Sequence, residues 1–254
     1  MIPNTKKLSV LMKLKKMKND IAIFTPMANE EKNAKKVILE LLSYKKFFRK
    51  FKYFIIIDKI STDNTYKIVK QLEKKNKSLK VIWAPNNKSI VDAYMQGYKN
   101  CLKTNYNWIL EIDAGGSHQP KDLLGFLKFM NNKYDCIFGS RFCSGGKMMN
   151  SNFIRYFFSK GGSLISKVFF KMGISDTTSG YQMFQRKIVK KILKHKLLSK
   201  DRFFQTEIKI YTRTKKIKEV PIKYICKTHS LSFFSIIESI YLLVVIRFFK
   251  KNYF

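Results

Sequence analysis

The 254-residue sequence predicts an α/β fold in which a mostly parallel sheet is flanked by helices. Three observations predict it. Short apolar runs rich in Ile, Val and aromatics suit strands buried on both faces. Polar stretches with helical spacing lie between them. Their strict alternation requires right-handed crossovers and a parallel sheet.

The first strand is "IAIFTPMA" (21 to 28), followed by a helix over 33 to 44. "YFIIID" (53 to 58) is the second, and the helix after it, 63 to 75, carries Ile68, Val69 and Leu72 on one face. "KVIWAP" (80 to 85) leads to a helix over 89 to 102, and "NWILEID" (107 to 113) to one over 121 to 130. The fifth strand, "DCIFGSRF" (135 to 142), ends the regular alternation at the loop "CSGGK" (143 to 147). Beyond it the pattern predicts a helix over about 153 to 171, a turn "ISDTTSGYQMF" and a second helix. The segment "RFFQTEIKIY", one strand "IKEVPIKYI" (217 to 225) and an apolar helix from about 234 to 250 complete the chain.

No internal repeat and no Pro-rich or Ser-rich linker divides the chain, so the second half is expected to pack on the first. The expected organisation is a basic leader over 1 to 20, ordered or disordered, a main domain over 21 to 232 with halves meeting at 140/141, and an apolar helix over 233 to 254.

With 45% hydrophobic and 15% aromatic residues the chain is not of disordered composition, despite a formal charge of +34. Lys, Ile, Asn and Phe are all abundant, as AT-rich coding produces, so the charge reads either as a compositional, solvated surface or as a surface selected for anions, and the two stay open. No nucleic-acid recognition motif occurs, and the aromatics sit in apolar runs rather than among Lys and Arg as stacking platforms, so no specific nucleic-acid partner is expected. The four cysteines form no CxxC pair and read as reduced, which suits the cytoplasm. The leader's apolar run "LSVLM" is too short for a signal peptide. In "SFFSIIESIYLLVVIRFFKKNYF" Glu238 and Arg247 interrupt the apolar run, so the segment reads as lying in a membrane interface, with Lys250 and Lys251 toward anionic lipid. Packing on the core or in a homo-oligomer is the alternative, and the oligomeric state is left open.

Ligands of open parallel sheets bind beyond the carboxyl ends of the strands. The residues at those ends are Asn29 and Glu30, Asp58, Pro85 and Asn86, Asp113, then Ser140 and Arg141. Two aspartates at the ends of different strands can share one crevice. After Asp113 the chain runs "AGGSHQP", and its glycines let backbone approach a ligand closely.

"TPMANEE" (25 to 31), "IIIDKISTDNT" (55 to 65), "EIDAGGSHQP" (111 to 120), "GSRF" (139 to 142), "DTTSGYQMF" (176 to 184) and "FFQTE" (203 to 207) stand in the order seen in family 2 glycosyltransferases of the GT-A fold. Over about residues 21 to 232 the chain resembles most the dolichol-phosphate and polyprenyl-phosphate mannosyl- and glucosyltransferases. The resemblance implies a Rossmann-like GT-A sheet and a nucleotide-sugar donor held by Pro26, Asn29, Glu30, Asp58 and Asp63. Lys59 stands where that motif usually has a second acid. It further implies an Asp-any-Asp motif that binds Mg²⁺ or Mn²⁺ with the donor diphosphate. Asp113 matches the first acid, and so is the expected catalytic metal ligand; Gly115 replaces the second.

On the acceptor side the resemblance implies phosphate contacts from Arg141, Arg155 and Ser159, and it puts Asp176, Gln205 and Glu207 near the sugar. His118 matches an "SHxP" stretch, and Lys227 of "KTHSLS" matches part of a basic loop that here lacks its Gly and second Lys. Plain structural roles compete at four positions: helix caps at Asp63 and Asp176, a helix start before Pro120 for His118, and one more surface cation for Arg155.

The implied reaction is inverting transfer of a sugar to a polyprenyl phosphate, at the cytoplasmic face of a membrane to which the protein is peripheral. A phosphate oxygen is anionic at neutral pH and needs no general base. Transfer to a glycan or lipid hydroxyl would need one, with Asp176 or Glu207 as candidates. A third reading, prompted by Lys59 and Gly115, is a degenerate transferase fold that acts as a binding or scaffold protein.

Overall fold

The structure is a computed structural model that describes residues 19–226 and 232–250. Nearly all of the basic leader, Lys227 and residues 251–254 lie outside these. A seven-stranded sheet has the order β3-β2-β1-β4-β7-β5-β8. Its strands are β1 (Asp20–Pro26), β2 (Lys50–Ile57), β3 (Leu79–Trp83), β4 (Trp108–Glu111), β5 (Cys136–Ser140), β7 (Gln182–Gln185) and β8 (Ile217–Pro221). All neighbours pair in parallel except β7, which is antiparallel to both β4 and β5.

The strands are apolar along their length because both faces are covered. Ile21, Ile23, Tyr53, Ile55 and Leu110 face one core, under helices α1 (Glu31–Ser43), α2 (Thr65–Lys75) and α4 (Leu123–Leu127). Ala22, Phe24, Phe54, Ile56 and Ile109 face the other, under α3 (Ile90–Leu102), α6 (Arg186–Lys194) and α7 (Phe204–Thr212). Alternate residues of one strand thus serve opposite cores. Helix α3 lies so close to β1 that a Cβ on Gly97 would come within 2.1 Å of the Phe24 ring. A capping box starts this helix: the Ser89 hydroxyl accepts from the Asp92 amide, and the Asp92 carboxylate accepts from the Ser89 amide.

Two expectations are corrected. "YQMF", expected to lie in a turn, forms β7 from Gln182 onward, inserted between β4 and β5, so both halves of the chain share one sheet. "IKEVPIKYI", expected as one strand, breaks after Pro221; its second part, β9 (Lys223–Ile225), leaves the sheet to pair with β6 (Lys147–Met149). Proline has no N–H to continue a ladder, and the Ile222 amide still reaches the Ser140 carbonyl at 3.1 Å before the chain departs. Helices α5 (Phe153–Phe170) and α8 (Phe233–Val244) complete the fold, α8 running on as a π turn over Val245–Phe249. All four cysteines are unpaired.

Candidate active site

The carboxyl ends of β1, β2, β4 and β5 open into one cavity of about 1140 Å³. Of the residues singled out from the sequence, Pro26, Glu30, Asp58, Asp113, His118, Arg141, Arg155, Ser159 and Gln205 line it; Asn29, Asp63, Asp176 and Glu207 do not. Lys59 is exposed and lines no part of it.

Asp113 follows the end of β4, and about a third of its side chain is exposed (36%). Its Oδ1 accepts from the Tyr94 hydroxyl at 2.5 Å, and its Oδ2 lies 2.9 Å from His118 Nδ1. Burial works to raise its pKa, but His118 and the hydrogen bond from Tyr94, helped by the charge of Arg202, leave it below the ordinary carboxylate value. The His118 ring is buried edge-on against Tyr181 and Tyr224, with Nε2 3.4 Å from the Ser179 hydroxyl. It supports Asp113 from behind and takes no part in the 3₁₀ turn Pro120–Asp122, so the helix-start reading is corrected.

Asp58 ends β2 with Oδ1 accepting from the Ile60 amide at 3.1 Å, which holds the carboxyl at the cavity wall. Glu30 stands at the start of α1; its Oε2 accepts from Asn33 Nδ2 at 2.9 Å. No side chain rises from Gly115, and a Cβ placed there would lie 3.3 Å from Glu30 Oε1.

Asn29 and Asp63, expected as donor contacts, lace two loops together. Asn29, with a left-handed φ of 56°, accepts on Oδ1 from the Thr62 amide and donates from Nδ2 to the Ile60 carbonyl. Asp63 accepts from the Glu31 amide at 3.0 Å and the Thr65 amide at 2.9 Å, so one carboxylate caps the first turns of both α1 and α2.

Arg141 and Arg155 meet at Tyr224, whose ring also packs on His118. Arg141 is gripped by Asp176: Nε and Nη2 donate to its two oxygens at 2.8 Å each, while the Arg141 amide donates to Oδ2. The guanidinium also lies over the Phe142 ring, 5.0 Å from its centre, and over the Tyr224 ring at 5.2 Å. Burial would raise the Asp176 pKa, but the Arg141 charge and hydrogen bonds bring it down to about 2. Asp176 is therefore a fixed counter-ion under Arg141 rather than a base beside the sugar. Lys209 is wholly buried and donates to the carbonyls of Asp176 and Ser179, which ties down the loop that lines the cavity with Thr178, Ser179 and Gly180. Burial lowers its pKa to about 8. Arg155 reaches the Tyr224 hydroxyl at 3.3 Å from α5, one turn before Ser159.

Glu207 is also corrected. It is fully buried in α7 and accepts from the amides of Leu198 and Ser199 at 2.6 and 2.9 Å, fastening the loop before the helix. Burial raises its pKa to about 7. A raised carboxyl pKa stabilises the fold below the unfolded value near 4.5, and that contribution is lost as the pH climbs through 7. The stability advantage of the wild type over Glu207→Gln is thus expected to shrink between pH 5 and pH 8 by on the order of 3 kcal/mol. Urea melts at the two pH values check it, and an equal difference at both would count against the reading.

Sequence reasoning missed Tyr94, Arg202 and Tyr224. Tyr94 reads as an apolar core position of α3 and packs as one, against Phe24 and Phe204, with only its hydroxyl reaching Asp113. Arg202, lost among 51 cations, lines the cavity next to Phe203.

The chain is similar to known proteins both in sequence and in fold. A profile of glycosyl transferase family 2 matches residues 22–193. The chain is 30% identical over 173 residues to an undecaprenyl-phosphate mannosyltransferase of Micrococcus luteus, a match that covers 67% of this chain and 71% of that one. It is 27% identical over 175 residues to a polyprenol monophosphomannose synthase of Mycolicibacterium smegmatis, covering 68% of this chain and 66% of that one. Among solved structures, the glucosyl-3-phosphoglycerate synthase of Mycobacterium tuberculosis, in complex with Mn²⁺, UDP and phosphoglyceric acid, superimposes with a TM-score of 0.64 at 13% identity, over 93% of this chain and 82% of that one.

Proposed function

The chain belongs to glycosyl transferase family 2 and is a glycosyltransferase, and we propose that it moves a hexose from a nucleotide-sugar donor to a polyprenyl phosphate with inversion at the anomeric carbon. The observation that carries the proposal is the continuity of the cavity. Its wall carries the carboxylates of Glu30, Asp58 and Asp113, the guanidinium groups of Arg141 and Arg155, and the apolar side chains Phe157, Leu164 and Ile165 of α5 and Ile236, Ile240 and Leu243 of α8. A molecule with an anionic head and a long hydrocarbon tail matches that combination of surfaces.

In this reading Pro26 and Asp58 hold the nucleoside, and Arg155, Ser159 and the Asp176-held Arg141 orient the acceptor phosphate. Arginine suits the task because its planar fork pairs with phosphate oxygens. A phosphate oxygen attacks the anomeric carbon, the bond to the donor diphosphate breaks, and the nucleoside diphosphate leaves with the electron pair. Neither of the two carboxyls considered as bases for a hydroxyl acceptor, Asp176 and Glu207, lines the cavity, which favours an acceptor that needs no base. The Asp113 carboxylate is a hard oxygen ligand open to the cavity, so it would hold Mg²⁺ or Mn²⁺, and such an ion would supply neutralising charge to the departing diphosphate.

The acceptor reading also accounts for an inverted helix. Helix α5 buries Ser163, Ser166 and Phe170 while Phe153, Ile154, Phe157, Leu164 and Val168 are exposed. Phe233, Phe234, Ile237, Ile240 and Tyr241 of α8 are exposed likewise. No helix among the described residues is long and apolar enough to cross a membrane. These two faces, fringed by Lys160, Lys167 and Arg247, would rest on the cytoplasmic surface of an anionic membrane and admit the acceptor from it.

The test is transfer of labelled sugar from a panel of nucleotide sugars, mannosyl donors first, to polyprenyl phosphate in anionic and neutral vesicles. A labelled prenyl-phosphate sugar and recruitment by anionic vesicles are expected. Arg155→Ala should lower transfer roughly tenfold or more while sparing donor binding. Labelling of a glycan or lipid hydroxyl, with none of the prenyl phosphate, would replace this acceptor by the other.

A further inference from the structure

We propose that Glu30 supplies the second carboxylate of the divalent-ion site, in the space that Gly115 leaves without a side chain. The inference rests on the nucleotide-sugar reading above, because the ion it concerns would bridge protein and diphosphate. A single carboxylate is a sparse protein contribution to such a site, and Asp113 already accepts from Tyr94 and lies against His118. Hard divalent ions bound with a diphosphate take their protein ligands from one or two carboxylates and the rest from phosphate and water. A second acid belongs beside Gly115, two residues on from Asp113, and the fold provides one there.

β1 and β4 are neighbours in the sheet, paired in register from Ile21 and Trp108 to Phe24 and Glu111. The pairing runs on past the strands, with the Ile112 amide 3.3 Å from the Phe24 carbonyl, so the loop holding Glu30 and the loop holding Asp113 and Gly115 leave the sheet side by side. Glu30 is anchored there at two points: its amide donates to Thr65 Oγ1 at 2.7 Å, and its Oε2 accepts from Asn33. Its other oxygen, Oε1, lies 3.3 Å from where a Cβ on Gly115 would be. The carboxylate thus occupies the space into which a side chain at 115 would grow, on the wall of the cavity that Asp113 also lines. An aspartate at 115 would crowd a second negative charge against Glu30. With glycine there, the acid arrives from the neighbouring strand instead.

Mn²⁺ titration followed by electron paramagnetic resonance, on the whole chain alone and with UDP or GDP, decides the matter without reference to turnover. Glu30→Gln is expected to weaken Mn²⁺ binding about tenfold or more, a loss well beyond any loss of metal-free UDP or GDP affinity. Adding Gly115→Asp to that variant should restore most of the loss, because the two acids serve one place. Unchanged Mn²⁺ affinity in Glu30→Gln, an equal loss of metal-free nucleotide affinity, or a loss that Gly115→Asp fails to repair would each overturn the proposal. If neither UDP nor GDP binds, the donor reading fails, and Mn²⁺ binding by the chain alone, lost or kept in Glu30→Gln, still decides this one.

Discussion

Asp176→Asn is expected to destabilise the protein by about 3–5 kcal/mol, which for a chain of this size lowers Tm by roughly 10 °C or more. The reason is the charge it strands. Asp176 is 0% exposed and Arg141 6%, and the carboxylate accepts from the Arg141 amide, Nε and Nη2 and from the Thr178 amide. Asparagine neither neutralises the guanidinium nor accepts on both sides. A pair of this kind adds little net stability over apolar packing, yet removing one partner costs far more because the other remains buried and uncompensated. The same site gives a pH signature. A carboxyl held near 2 stabilises the fold above its ordinary value of 3.8, and that contribution disappears as the pH falls through 2. Thermal melts of the variant and wild type should therefore converge between pH 4 and pH 2. A variant that melts within 2 or 3 °C of wild type at pH 7 would show that Arg141 does not depend on this counter-ion.

Asp113→Asn should lower the rate of transfer by about a hundredfold or more, with metal-free nucleotide affinity nearly unchanged. Asparagine keeps an oxygen for the Tyr94 hydroxyl, and the residue is partly exposed, so the fold should tolerate it. What is lost is the negative charge on the cavity floor that His118 and Arg202 hold ionised. The effect belongs in kcat if Asp113 acts on the developing diphosphate charge and in KM if it only binds the ground state. A loss below about fivefold in both would remove Asp113 from the reacting centre.

The fold was legible because its signals are local. Two-sided burial writes itself as unbroken apolar runs, and the helices between them carry their own caps, as Ser89 and Asp92 show. β7 escaped because four residues bracketed by Gln182 and Gln185 carry too little pattern, and their place between β4 and β5 is a matter of tertiary pairing. The site was legible in part for the same reason. Strand ends named Asp58 and Asp113, since position along a parallel strand decides which end faces the ligand.

Which acids face the cavity and which support it from behind was decided only in three dimensions. Asp63 and Asp58 stand five residues apart at the end of one strand; Asp63 turned to cap two helices and Asp58 stayed on the wall. Asp176 and Glu207 share a motif order with the site residues, yet burial set one against Arg141 and the other against a pair of backbone amides. Tyr94 met Asp113 from a helix that no spacing in the chain relates to it, whereas His118 folded back on it from the same loop. Local sequence writes the strands, the helices and their ends, because backbone propensity and side-chain periodicity act over a few residues. The partner of a charge is chosen by packing across the whole chain, because desolvation and Coulomb attraction depend on what the fold brings within a few ångströms.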